Sequence, residues 1–209
     1  MLPRLYLITD RQAIPASVHR TGGDLVGAVE GALRGGVRMV QLREKDLPPR
    51  ERYRLVLALV ERCAVHGARL LVNTTADLAL AAGADGVHLG RDTLPVSAVR
   101  EKLGFRGLIG YSAHGTEEAR AAVEAGADFV TFSPIFATKP GYGPAVGVEA
   151  LRTVCARLKA PTFALGGITA ANVREALAAG AHGVALISAI LSAPDPERAA
   201  RELVEAVGG

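Results

Sequence analysis

Six short stretches carry residue types that could bind anions or move protons. In "VQLREK" (40–45), Gln41, Arg43 and Lys45 alternate, so at the end of a strand they would share one face. Two cations and an amide on one face suit a phosphate or a carboxylate, Arg as a fork and Lys as a point charge. A plainer use would be an ion pair of Arg43 or Lys45 with Glu44 or Asp46. In "LGGIT" (165–169), Gly166 and Gly167 would let backbone N–H groups come close to a ligand. In "LISAI" (186–190), Ile187, Ser188 and Ala189 open a helix whose first amides favour an anion. "GYSAHG" (110–115) offers His114, able to take and return a proton near neutral pH or to serve as an ordinary loop residue. Asn73 in "NTTADLAL" (73–80) follows an apolar run, with Thr74 and Thr75 where a catalytic carboxylate would be expected. Thr138 and Lys139 lie in the Gly- and Pro-rich "SPIFATKPGYGPAVG" (133–147), which suits a loop covering a ligand.

Other chemistry is weakly represented. No HxxxH or comparable metal-ligand spacing is present. Cys63 and Cys155 each sit alone in a helical pattern and read as buried structural thiols of a reducing cytoplasm. His88 reads as a hydrogen-bonded interior residue, while His19, His66 and His182 read as peripheral.

Positioning these residues requires a regular scaffold, and an internal repeat supplies it. "RGGVRMVQL" (34–42), "AAGADGVHL" (81–89), "EAGADFVTF" (124–132) and "AAGAHGVAL" (178–186) each join a helix end, a Gly and a short apolar strand. Their glycines, Gly36, Gly83, Gly126 and Gly180, are separated by the length of two strand–helix units, so each marks every second strand. Intervening strands are expected at 4–9, 69–73, 107–112 and 161–166. Helices are expected at 24–35, 49–66, 75–82, 95–103, 116–125, 147–158, 170–179 and 195–207. Eight strands alternating with eight helices, without a linker or composition break, predict one (β/α)₈ barrel domain over 1–209, in preference to an open doubly wound sheet. Sites in such barrels lie where strands end, which is where all six stretches fall.

Composition agrees with this scaffold. The 209 residues are 49% apolar, with 24 Gly, no Trp and 4% aromatic residues. Mean hydropathy is +0.24, yet no apolar run reaches the length of a membrane span, and the N-terminus enters a strand without a signal-peptide pattern. A net charge of +3, dispersed along helices, excludes a concentrated nucleic-acid stripe and suits a phosphorylated small molecule. A cytoplasmic enzyme is expected, and its Ala-rich outer helices leave room for a homo-oligomer.

Taken together and in order, "LYLITD", "VQLREK", "LVN", "ADLALAAGADGVHLG", "GYSAH", "SPIF", "GGIT" and "LISAI" resemble the thiamine-phosphate synthases and their TenI-type relatives over essentially the whole chain. The resemblance implies a (β/α)₈ barrel. In the synthases it implies joining a hydroxymethylpyrimidine diphosphate to a thiazole phosphate with displacement of pyrophosphate, using Mg²⁺. Gln41, Arg43, Lys45 and Asn73 would then contact the pyrimidine diphosphate, and Gly167, Ile187 and Ser188 the thiazole phosphate. Two positions depart from the synthase pattern: Thr74 and Thr93 stand where it places Mg²⁺-binding acids, Thr93 following Arg91 and Asp92. Hydroxyls there remove most of the charge that holds a hard cation. The loop at 133–147 is also shorter in its Thr-Lys motif than the synthase pattern.

The TenI-type branch implies a reaction without metal, the isomerisation of a carboxythiazole-ylidene ethyl phosphate to its aromatic form. The resemblance makes His114 its acid/base. The expectation from sequence is therefore a metal- and cofactor-independent thiazole tautomerase. In it Gly166, Gly167, Ile187, Ser188 and Ala189 cradle the phosphate, while Gln41, Arg43, Lys45, Asn73 and Lys139 face the substrate. The alternatives are a thiamine-phosphate synthase, the case that would need Mg²⁺, and a non-catalytic thiazole- or thiamine-phosphate-binding protein.

Overall fold

The four repeat glycines explain how the chain passes from a helix into every second strand. Gly36, Gly83, Gly126 and Gly180 all have positive φ, between 68° and 106°, a turn that an L side chain resists. In two of the repeats the following Asp completes the turn. Asp85 Oδ2 accepts the N–H of Leu70 at 2.8 Å, and Asp128 Oδ2 that of Ile109 at 2.7 Å, so the repeat also stitches neighbouring strands together.

A computed structural model describes residues 1–15, 24–138 and 143–208. Its strands are β1 (Leu5–Ile8), β2 (Met39–Leu42), β3 (Arg69–Asn73), β4 (Gly86–Leu89), β5 (Leu108–Ala113), β6 (Phe129–Phe132), β7 (Thr162–Leu165) and β8 (Gly183–Leu186). Each pairs in parallel with the next, and β8 pairs with β1, closing the ring. The fold is the (β/α)₈ barrel expected from the repeat. The helices are α1 (Leu25–Arg34), α2 (Pro49–Val65), α3 (Ala76–Ala82), α4 (Thr116–Glu124), α5 (Gly147–Arg157), α6 (Val173–Ala178), α7 (Ser188–Leu191) and α8 (Pro196–Gly208).

Local chemistry sets these helices. Asp24 caps α1 by accepting the Gly27 N–H at 2.8 Å, and α2 begins with Pro49, whose missing N–H costs nothing there. In α1, Leu25, Ala28, Val29, Ala32 and Leu33 form the buried stripe that a 3.6-residue period demands. One expected helix differs: 95–103 forms only a π-helical turn at Ala98–Lys102. Cys63 is buried as expected, with its thiol pushed up to about 12 chiefly by burial; Cys155 is only half-buried, a correction to its expected burial.

Two cores result. The larger lies between the strands and the helices, and the smaller fills the barrel with Tyr6, Ile8, Met39, Leu71, Phe129, Phe163 and Ala185. Tyr6, Phe129 and Phe163 meet edge to face with centroids 5.4 to 5.9 Å apart, a favourable aromatic arrangement. No helix among the described residues is long and apolar enough to cross a membrane.

Gly110, in β5, is the gap that admits two of the interior rings. A Cβ there would collide with His88 Nδ1 and Phe129 Cζ. Gly110→Ala is expected to destabilise the protein by about 1–3 kcal/mol through overpacking, read as a lower urea midpoint.

Candidate active site

The mouth is organised first by the residue that follows β1. Thr9 is fully buried; its hydroxyl donates to Glu44 Oε1 at 2.7 Å and accepts the Arg43 N–H at 2.9 Å. Glu44 also takes the backbone N–H and Nη1 of Arg11, each at 3.2 Å. Arg11 turns its guanidinium onto Asp46 as well, at 2.5 and 2.7 Å, and this pairing holds the Asp46 carboxyl down to about 2. Glu44 and Asp46 are thus both occupied by Arg11, and the plainer alternative, an ion pair of Arg43 or Lys45 with either acid, does not form.

Among the described residues, neither Arg43 nor Lys45 has an ion-pair partner. The nearby Arg43 charge lowers the Lys45 pKa, burial adds to this, and Asp92 offsets it in part. Two like charges held together at a strand end, with Glu44 and Asp46 already used and Asp92 offsetting them only in part, suit an anion.

Lys45 lines a cavity of about 260 Å³ together with Glu44, Arg52, Asn73, Thr74 and apolar residues of β2, β3 and α3. Asn73 ends β3, and its side-chain amide bonds to no other described residue. Thr74 follows with φ 63°, the one non-glycine residue in the left-handed region among those described. A β-branched side chain is strained there, whereas Asn or Asp tolerates it. Arg52 on α2 is a contributor that sequence reading missed: in "PRERYR" it is one of three alternating arginines, and only the fold tells which one turns inward.

Gln41 lies deeper than the other residues expected at the mouth. It is 1% exposed, inside the barrel, and its Nε2 donates to the Tyr6 hydroxyl at 2.9 Å. The Tyr6 hydroxyl then gives its own proton to His88 Nδ1, 3.2 Å away, and His88 Nε2–H donates to Ser112 Oγ at 3.0 Å. Thr131 lies beside this junction, its hydroxyl donating to Ser112 Oγ at 3.4 Å. Ser112 sits toward the mouth end of this hydrogen-bonded chain, accepting from both neighbours and keeping its own hydroxyl proton uncommitted. Sequence reading passed over Ser112 although it lies in "GYSAHG". His88 is the interior histidine expected, and its pKa is lowered to about 3, first by complete burial and then by the Arg43 charge.

His114, just past β5, places Nδ1 2.9 Å from the Ser133 carbonyl oxygen. A carbonyl only accepts, so Nδ1 carries a proton, which in the neutral tautomer leaves the lone pair on Nε2, the arrangement a general base requires. Glu118 fixes the backbone by accepting the His114 N–H at 2.9 Å.

On the other side of the ring, Gly166 and Gly167 have φ 98° and 67°. Their smallness has a cause that sequence reading did not give. A Cβ on Gly166 would lie 2.8 Å from Pro134, and one on Gly167 2.7 Å from Phe136 Cβ, because the loop after β6 packs onto them. Ile135 and Phe136 donate to the carbonyls of Leu165 and Gly166 at 2.9 and 3.0 Å. Any contact with a ligand therefore rests on their N–H groups. Ile187 precedes α7, and Ser188 and Ala189 open it at the same rim. Lys139, in the stretch proposed to cover a ligand, lies outside the described residues, as does His19.

Comparison with known proteins agrees with the fold. Residues 5–190 match the family described as thiamine monophosphate synthase. The chain belongs to this family. A relative from Geobacter sulfurreducens, provisionally named a thiamine-phosphate synthase, is 55% identical over 96% of this chain and 92% of its own length. The thiamine-phosphate synthase of Roseiflexus sp. is 42% identical, over 95% and 83%. The solved structure of thiamine phosphate pyrophosphorylase from Pyrococcus furiosus superposes with a TM-score of 0.88 at 35% identity, covering 98% of this chain and 95% of that one. The relatives thus carry the synthase name, and the tautomerase branch receives no specific support.

The Mg²⁺ that the synthase resemblance implies does not fit the donor set found here. Thr93 Oγ1 donates to the Gly90 carbonyl at 2.7 Å and accepts its N–H at 3.2 Å, closing a turn. Thr74 offers a neutral hydroxyl, and the neighbouring wall carries Lys45 and Arg52. Among the described residues no group of three or more His, Cys, Asp and Glu converges.

Two consequences can be measured. Because the His88 pKa lies below its unfolded value of about 6.5, the unfolded chain binds the extra proton as pH falls. The stability present above pH 6.5 should be lost toward pH 3 at up to about 1.4 kcal/mol per pH unit from this group. Urea titrations between pH 7 and 4.5, above most carboxylate titration, would show this slope, and His88→Gln should flatten it. Thr74→Asn should raise stability by about 1 kcal/mol, as expected for relief of left-handed strain, read as a higher urea midpoint.

Proposed function

We propose that the protein is a thiamine-phosphate synthase, joining a hydroxymethylpyrimidine diphosphate to a thiazole phosphate with release of pyrophosphate. The observation that carries this reading is the surplus of unpaired positive charge on the β2–β3 side of the mouth. Arg43, Lys45 and Arg52 exceed what a single substrate carboxylate needs, and they stand across the closed ring from the β7–β8 rim. Two separated anion sites suit two phosphorylated substrates. The names of the full-length relatives support the same conclusion.

On this reading, Arg43 and Lys45 hold the diphosphate. As its C–O bond breaks, negative charge grows on the leaving group, and cations already in place stabilise it without reorganising. Asn73 orients the pyrimidine edge, and Ser112, supported from below by His88, presents a hydroxyl donor to the ring or to the diphosphate. The N–H groups of Gly167, Ser188 and Ala189 anchor the thiazole phosphate, so that the two rings meet over the barrel axis.

A specific observation favours a second reading, the thiazole tautomerase. His114 has its Nδ1 proton fixed by Ser133, leaving Nε2 as a base, and Thr74 and Thr93 replace the metal-binding acids. The two readings separate in one assay. Supplying both synthase substrates should yield thiamine phosphate and pyrophosphate; aromatisation of the thiazole tautomer without coupling, lost in His114→Asn, would establish the isomerase in its place. Tight binding of thiazole phosphate with neither turnover would leave a binding protein.

A further inference from the structure

Arg52 projects from the first turn of α2 toward the cavity that holds Lys45, Asn73 and Thr74. Its Nη1 donates to Thr75 Oγ1 at 3.3 Å, while its Nε is buried and has no hydrogen-bond partner. Among the described residues no carboxylate pairs with it. Glu44, the one acid on the cavity wall, is already taken by Thr9 and Arg11. A charged donor buried without an acceptor is costly in a folded protein, so this N–H calls for a partner that the described residues do not supply.

The ligand that would complete it is strongly anionic. The wall presents the guanidinium and the Lys45 ammonium, with the Asn73 amide and the Thr74 hydroxyl as neutral donors. A guanidinium presents two parallel N–H groups to two oxygens of a phosphoryl group, which a single ammonium cannot do. A divalent cation in the same cavity would face two positive charges, with no uncommitted carboxylate on the wall.

We propose that this cavity binds the diphosphate end of the substrate directly through Lys45 and Arg52, so that the Arg52 guanidinium supplies the charge for which the synthase pattern uses a metal ion. The identity of the ligand rests on the transferase reading; the pairing of a diphosphate with Arg52 and its independence of metal are tested separately. Arg52 is thereby a binding residue contributed by a helix, outside the strand-end positions from which the rest of the site is built.

The test is calorimetric titration of the intact protein with inorganic diphosphate, in buffer containing EDTA and again with added Mg²⁺. Binding is expected in EDTA, with no more than about a twofold gain from Mg²⁺. Arg52→Gln should weaken it by about tenfold or more, the scale of a charge-assisted hydrogen bond. Arg52→Lys, keeping the charge without the fork, should fall between the two. Circular dichroism and thermal unfolding establish that each variant is folded, and the wild-type comparison in EDTA and Mg²⁺ needs no variant. A strict requirement for Mg²⁺, or equal binding by wild type and folded Arg52→Gln, overturns the proposal. Coupled product that disappears in EDTA also overturns it while leaving the transferase standing. Metal-free diphosphate binding that depends on Arg52, without any coupled product, supports the site and removes the transferase.

Discussion

Tyr6 is the point on which the barrel interior depends. Its ring closes the aromatic packing with Phe129 and Phe163, and its hydroxyl, fully buried, has to find partners. Gln41 and His88 provide them. A buried polar group is tolerable only when satisfied, so this one hydroxyl couples the apolar floor to the polar layer above it. The layer then ends at Ser112, which makes the mouth the upper surface of a continuous packed and hydrogen-bonded column. Gly110 is part of the same constraint, since the space it leaves is what the His88 and Phe129 rings occupy.

At the mouth a second constraint operates, the allocation of carboxylates. Arg11, brought in by a short turn after β1, takes both Glu44 and Asp46. Had those acids paired with Arg43 and Lys45, the strand end would be neutral and closed. Their diversion leaves Arg43 and Lys45 without an ion-pair partner among the described residues, with Arg52 beside Lys45 on the wall of a cavity. The same electrostatics explains why hydroxyls at Thr74 and Thr93 are compatible with anion binding here: the positive charge is already in the wall.

Much of this was legible in the sequence, for physical reasons that differ by element. Strand and helix order followed from hydrophobic period and from the repeat, because a glycine at positive φ is needed at every second helix-to-strand turn. The residues at strand ends were legible because the barrel places its chemistry there. The depth of Gln41 was not legible because alternation gives the face of a strand without giving the height along it: its side chain is buried and bonded to Tyr6. Ser112 was overlooked beside the more conspicuous His114.

By itself, then, the sequence determined the eightfold alternation, the closed barrel and the family, since all of these are carried by local periodicity and ordered motifs. Tertiary structure decided which charges cancel. The pairing of Arg11 with Glu44 and Asp46, the inward turn of Arg52 with its unpartnered Nε, and the Gln41–Tyr6–His88–Ser112 column all join residues far apart in the chain. Coulombic and hydrogen-bond energies depend on distances that only closure of the ring sets, and no spacing along the chain encodes them.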